Sequence, residues 1–437
     1  MMIATERHQA RRAALNARLS AGLVVLPTAR VQRRNNDNDF TFRFDSDFHY
    51  LTGFPEPEAV LVMVLGAQPR TILFCLPKNE TMEIWEGFRY GPAAARGEFG
   101  FDEAYPIEEF DQRMVELLAH QPTLYCPVGD DERWDARLIE LINRARRRGR
   151  GSYHAAPLGL VDIRATIGEM RLIKDAHEAD LMREAGRISA DAHIRAMRAA
   201  RPGMFEYEIE AELLHEFYRR GSRYPAYGAI VASGANATCL HYHQNDRRME
   251  DGDLLLIDAG CELHGYAADI TRTFPINGRF SGPQKDVYEL VLAAMHSAFD
   301  AVRPGRPRGD YHTAAVRTLT AGLVDLGLLQ GEVDGLIEQL AYKQFYMHGT
   351  GHWLGMDVHD TGEYEVDGVS RPLLPGMVLT VEPGLYFRPA ANVPEHFVGI
   401  GVRIEDDLLL TEDGFDNLSA GVPKTVAEIE ALMADRA

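Results

Sequence analysis

Residues 253–275, DLLLIDAGCELHGYAADITRTFP, place Asp258 and Asp269 at the ends of segments built mainly from Leu, Ile, Thr and Phe. A carboxylate inside an apolar strand must be paired or bound to a metal. Gly260, Gly265 and a polar tip lie between them, so the stretch reads as a hairpin of strands 253–260 and 268–274. Across such a hairpin the two carboxylates become neighbours at about 5 Å. On one helix the same spacing (269 − 258 = 11 residues) would set them about 16 Å apart along the axis. Taken alone, the pair reads equally well as turn aspartates at exposed strand ends.

Two more acids sit in comparable places. Glu382 lies in LTVEPG, within a strand expected at 377–384, and Glu405 lies in GVRIEDD, within one expected at 398–410. Four carboxylates on neighbouring strands would carry a charge that burial does not tolerate unless cations of comparable charge sit among them. His352, in HGTGHWLGMDVHD (348–360), adds one imidazole, and an oxygen-rich set of this kind suits manganese, with zinc or cobalt also accommodated. A rival reading puts His348, His352 and His359 on one helical face as a three-histidine zinc site. Gly349, Gly351 and Gly355 argue against a helix there, and the strand acids would go unexplained. His241, in TCLHYHQND just before the Asp258 strand, is a further candidate, with an ordinary surface histidine as its alternative.

Around this nucleus the chain divides in two. GLVVLP (22–27), AVLVMVL (59–65) and TILFCLP (71–77) read as buried strands of a mixed sheet, accompanied by helices over 113–119 and 135–148. A small, polar stretch at 150–157 precedes a boundary near residue 170. The expected organisation is an N-terminal α/β domain over 1–170 and a second α+β domain over 171–437. In the second, Asp175 and Glu178 form a capping-box-like helix start, a helix over 206–220 follows, and AIVAS (229–233) is a strand. Further helices are expected over 284–302 and 312–341. No fixed-period repeat is present, which excludes a solenoid.

Composition narrows the function classes. The 437 residues hold 46 Lys plus Arg against 65 Asp plus Glu, a formal charge of −19 that repels phosphate backbones, and the basic run at 144–150 is short and free of aromatics, so no nucleic-acid partner is expected. The longest apolar run, 59–67, is about half the roughly 20 residues needed to span a bilayer, so no membrane partner is expected either. The first residues, MMIATERHQARR, do not read as a secretory signal, and the expected address is cytoplasmic. Cys75, Cys126, Cys239 and Cys261 are far apart, without a C-x-x-C pair, and read as reduced thiols.

Four segments, IDAGCELHGYAADITRTFP (257–275), FYMHGTGHWLGMDVHD (345–360), LTVEPGLYF (379–387) and GIGVRIEDD (399–407), resemble in order and spacing the signatures of proline-specific aminopeptidases of the pita-bread fold, the bacterial aminopeptidase P group. RRNNDNDFTFRFDSDFHYLTGFPEPEAVLV (33–62) resembles the same group's N-terminal domain, so the likeness spans nearly the whole chain. It implies a pita-bread catalytic domain, a curved antiparallel sheet covered by helices. It also implies two divalent metal ions per chain, with Asp269 and Glu405 bridging, Asp258 on one ion, and His352 with Glu382 on the other. A hydroxide shared by the two ions would attack the Xaa-Pro carbonyl, and Glu382 would shuttle the proton. His241, His348 and His359 would face the substrate, while Tyr386 and Arg403 would orient carboxylates. For the proline ring, Trp85, Tyr227 and Tyr386 are candidate walls, Trp85 having core packing as its alternative. Trp85 and Asp37 belong to the first domain, which in such relatives helps to close the site across subunits, so a homo-oligomer, dimer or tetramer, is expected. The nearest rival is a prolidase restricted to Xaa-Pro dipeptides, for which Arg371, the only Lys or Arg between His359 and Glu382, would grip the proline carboxylate. A non-catalytic pita-bread binding protein is the remaining alternative.

Overall fold

The computed structural model describes residues 4–150, 152–390 and 392–435; Gly151, within the turn expected at 150–157, and the first three residues lie outside them. The chain separates into two compact units, Met1–Met170 and Arg171–Ala437.

In the first unit the expected apolar runs form a mixed six-stranded sheet in the order Glu103–Pro106, Arg70–Cys75, Val60–Val64, Leu23–Pro27, Thr123–Cys126 and Gly159–Asp162. Val60–Val64 runs antiparallel to both its neighbours and the remaining pairs are parallel. Leu23, Val25, Val62 and Phe74 pack with Phe110, Met114, Trp134 and Leu138 in one core. The helix Glu132–Arg148 starts at Asp131, whose carboxylate accepts from the amides of Arg133 and Trp134, and it ends in Arg146–Arg148, as the helix dipole favours.

The second unit begins its helix Ala176–Ala199 with the expected capping box: Asp175 accepts from the Glu178 amide and Glu178 accepts from that of Asp175. Its inner surface is built from antiparallel strands. Ile230–Ser233, Leu254–Asp258 and Thr271–Pro275 make one sheet, and Val378–Val381, Asp406–Leu410 and Phe415–Asn417 another. The Glu405 amide donates to the Thr271 carbonyl at 3.0 Å and ties the two together. Helices Glu206–Arg219, Gly282–Ala301 and Gly309–Asp325 supply Phe217, Met295 and Leu319 to the core beneath.

Three expected elements are interrupted, each for a local reason. Strand 377–384 stops at Val381 and resumes at Gly384, because Pro383 cannot donate a ladder hydrogen bond. Strand 398–410 breaks opposite it at residues 404–405, between Gly401–Arg403 and Asp406–Leu410. The helix expected over 312–341 ends at Asp325, after which Gly327 and Gly331 take positive φ and a short helix, Val333–Glu338, follows. Among the described residues no disulfide forms: Cys75, Cys126 and Cys261 are buried and Cys239 is exposed. Among the described residues no helix is long and apolar enough to cross a membrane.

Candidate metal centre

Asp258 ends its strand, but the residue paired with it is Thr271 rather than Asp269, which lies just outside the ladder. The turn between them forces this arrangement. A Cβ on Gly260 would lie 1.7 Å from the Ala268 carbonyl oxygen, so the backbones approach where only glycine fits. The hairpin tip, His264 and Gly265, has positive φ at both residues, the two-residue turn that matches strand twist. The two carboxylates meet at a third group, since the Tyr227 hydroxyl lies 2.6 Å from Asp258 Oδ1 and 2.5 Å from Asp269 Oδ1.

Glu382 and Glu405 sit in the two strand interruptions, where side chains leave the pleat. With Asp258 and Asp269 they line a cavity of about 360 Å³, whose wall also carries His241, His348, His352 and His359. No helix forms through 345–364. Instead Gly351 presses on the neighbouring strand, where an added Cβ would lie 1.9 Å from the Thr380 carbonyl oxygen. The His352 amide donates to Thr380 Oγ1, and its Nδ1 lies 2.9 Å from the Trp353 carbonyl. That leaves His352 Nε2 facing Asp269 Oδ2 at 3.4 Å and Glu382 Oε1 at 3.7 Å. Ligating atoms of Asp269, His352 and Glu405 all lie within 4.8 Å of one another.

The electrostatics call for cations. Burial pushes the Glu382 carboxyl up to about 7 and raises Asp269 and Glu405 as well, each further lifted by neighbouring carboxylates. Burial alone would lower His352, but Asp269 and Glu382 hold its imidazolium and raise it to about 9. Buried carboxylates pushed towards the protonated form, beside an imidazole pushed towards the charged one, make an acidic set that divalent ions would compensate. The donor set of carboxylate oxygens with one imidazole fits such ions.

Around this set runs a directional chain. Arg403 Nη1 donates to Tyr386 OH at 3.0 Å, and Tyr386 OH lies 2.9 Å from His348 Nε2, whose Nδ1 is 2.7 Å from the Gly349 carbonyl. Both ring nitrogens of His348 are therefore engaged by the protein, and burial pushes its pKa down to about 3. His241 and His359 are exposed and make no side-chain hydrogen bond among the described residues. Tyr386 is fully buried and does not wall the cavity, whereas Tyr227 lines an adjoining one of about 260 Å³. Arg371 lies on the arm after the 365–370 hairpin and is absent from the cavity wall. In the first unit Asp37 is exposed at a turn and Trp85 is 81% exposed, which sets aside core packing for Trp85.

Several participants are not evident from sequence. Thr271 Oγ1 donates to Glu405 Oε2 at 2.6 Å, and Asp407 Oδ2 accepts the Asp269 amide at 3.0 Å. Tyr364, in GEYEV, is also on the cavity wall. In the first unit a cavity of about 330 Å³ also contains acids, but Arg30 pairs with Asp131 at 2.7 Å and Arg164 with Asp130 at 3.6 Å, so its charge is largely compensated.

Comparison with known proteins accords with this geometry. Residues 180–412 match metallopeptidase family M24, and residues 8–125 match the aminopeptidase P N-terminal domain. The chain is 47% identical over 432 residues to the Xaa-Pro aminopeptidase of Haemophilus influenzae, covering 98% of this chain and 97% of that one. The structure of Pseudomonas aeruginosa aminopeptidase PepP superimposes with a TM-score of 0.96 at 50% identity, over 99% of this chain and 98% of that one. Zinc-substituted Escherichia coli aminopeptidase P in complex with product gives a TM-score of 0.96 at 45% identity, with both chains fully covered. With its two-part architecture and its acid-lined cavity, the chain belongs to metallopeptidase family M24 and has the pita-bread fold of the aminopeptidase P group.

Proposed function

We propose that this protein is a metal-dependent Xaa-Pro aminopeptidase, a hydrolase that releases the N-terminal residue from peptides with proline in second position. The observation that carries this is the meeting of Asp258, Asp269, Glu382, Glu405 and His352 in one cavity, in a chain alignable almost end to end with Xaa-Pro aminopeptidases. Asp258, Asp269, His352, Glu382 and Glu405 would hold two divalent ions. Manganese is the ion proposed, and the same donors accept zinc or cobalt. Bound there, two such ions supply Lewis acidity at the scissile carbonyl and a water ionised near neutral pH.

The chain's own residues supply orientation and proton movement. Glu382 takes a proton at one oxygen and returns it to the leaving proline nitrogen. His241 and His359, free of internal hydrogen bonds, turn ring N–H groups to the carbonyl as charge develops on its oxygen. The line from Arg403 through Tyr386 holds His348 in one orientation beside Glu382, whose Oε2 is 3.6 Å from His348 Nδ1. A proline in second position presents a tertiary amide without N–H, so a site that reads ring shape rather than a backbone donor selects it. Tyr364 offers an aromatic face for that purpose.

The same reading assigns the protein to the cytoplasm and to a homo-oligomer, dimer or tetramer, in which the first unit takes part in assembly and active-site closure; the exposed apolar side chains Ile84, Trp85 and Phe88 support a partnered surface there. The test is hydrolysis by protein stripped of metal and then given manganese, on an Xaa-Pro dipeptide, an Xaa-Pro-Yaa tripeptide and an Xaa-Ala-Yaa control. Manganese-dependent cleavage of the proline tripeptide with the control spared is expected. Cleavage of the dipeptide alone would make the protein a prolidase, and silence on all three would make it a binding protein.

A further inference from the structure

The loop 348–352 carries His348 and His352, yet it belongs to no helix or strand. Its conformation is set from behind, by helix Gly309–Asp325. Arg308, at the start of that helix, donates through Nη2 to the Gly351 carbonyl at 2.6 Å. One turn on, His312 Nδ1 lies 2.8 Å from Thr350 Oγ1. The two residues are four apart and project from the same face. Thr350 is buried, and its hydroxyl also meets Tyr346 OH at 2.6 Å. The Tyr346 ring packs edge-on against His348, with ring centroids 4.8 Å apart, and the Thr350 carbonyl accepts the Glu382 amide at 2.8 Å. Neither Arg308 nor His312 lines the cavity.

We propose that His312 and Arg308 are positioning residues for the active site. Acting through Thr350 and Gly351, they fix the HGTGH loop so that His348, His352 and the Glu382 backbone are held in register. Thr350 is the hub: one side chain and one carbonyl join the helix, Tyr346 and Glu382. Loss of the His312 contact leaves the Thr350 hydroxyl and Tyr346 without a defined third partner, and the loop slackens at the residues that face the substrate and the metal ions. This role rests on the aminopeptidase reading for its kinetic consequence, but the geometry of the loop can be read without turnover.

The test compares the parent with His312→Ala, His312→Asn and Thr350→Val. Each is assayed with manganese on an Xaa-Pro-Yaa tripeptide and, separately, loaded with cobalt for its visible absorption spectrum. Residues supporting metal ligands typically change function by roughly 10- to 100-fold. His312→Ala and Thr350→Val are therefore expected to lower kcat by about that factor with KM little changed, and to shift the cobalt bands. His312→Asn, whose amide sits where Nδ1 does, restores both towards the parent. The double variant His312→Ala/Thr350→Val should be no worse than either single one, because the two act as a unit. Parent-like kcat and spectrum in folded Thr350→Val or His312→Ala overturns the proposal, as does failure of His312→Asn to rescue or simple additivity in the double variant. Should His312→Ala fail to fold, Thr350→Val and His312→Asn decide alone. A parent inactive on the tripeptide would count against the aminopeptidase reading, and the cobalt spectra would still decide the positioning role.

Discussion

Arg403 donates through Nη2 to Asp258 Oδ2 inside the protein, both side chains almost wholly buried. Its other two nitrogens are also engaged, Nη1 with Tyr386 OH and Nε with Thr271 Oγ1 at 3.2 Å. One planar fork thus orients a carboxylate, a phenol and a hydroxyl. An ammonium cannot reproduce that geometry. Arg403→Lys should therefore lower kcat/KM by roughly 10- to 100-fold while metal content, measured by elemental analysis, is retained.

Removing the divalent ions should abolish hydrolysis, and adding manganese should restore it. Because the ions bind the folded state, the melting temperature should rise with metal concentration. In Asp258→Ala and Glu405→Ala that rise should shrink together with activity. A thermal shift titration beside a rate assay checks both, and two tightly bound ions with parent activity in either variant would sink the dinuclear reading.

Gly260 has no room for a methyl group, because the nearest atom is backbone rather than a side chain that can swing away. Gly260→Ala must separate the segments carrying Asp258 and Asp269. Overpacking of this kind costs ~1–3 kcal/mol. The variant should melt lower and bind manganese more weakly, as read by denaturation and metal titration.

The first unit carries its own pH dependence. Burial pushes His8 down to about 4 and His49 down to about 3, and His49 stacks on Phe44 with ring centroids 3.6 Å apart. An unfolded histidine titrates near 6.5. Both rings are neutral in the fold and gain protons more readily once unfolded, so their stability is intact above pH about 6.5 and is lost as pH falls towards 4 and then 3. Urea midpoints measured at pH about 7.5 and about 5 should differ in the parent, and the difference should narrow in His49→Phe, which keeps the stack but cannot titrate.

How far the site was legible depended on whether its residues broke a local rule. Asp258, Glu382 and Glu405 were visible because a carboxylate among Val, Leu and Ile is out of place. The strand interruptions beside Glu382 and Glu405 were not, since Val381 and Ile404 obey the strand pattern on either side. Asp269 was found but misplaced by two positions, because the register depends on how closely Gly260 approaches Ala268. His312 and Thr350 are 38 residues apart and ordinary in their own surroundings. Their relation exists only once the helix packs behind the loop. For Tyr386 the resemblance implies both a pocket wall and, with Arg403, a group that orients carboxylates; its complete burial removes the first role, and its hydroxyl links Arg403 to His348.

Asp258 and Asp269 come from one stretch of chain and His352, Glu382 and Glu405 from another, with helices Gly282–Ala301 and Gly309–Asp325 between them in sequence. A chain emerging during synthesis as far as the second of these helices holds two aspartates and no cavity. Hydrolytic capacity therefore arrives only with the last quarter of the polypeptide, which also completes the core, since Leu379, Val402, Leu408 and Ile429 belong to it. Truncated or stalled products are silent by construction, and uptake of metal becomes a report that translation and folding have both finished.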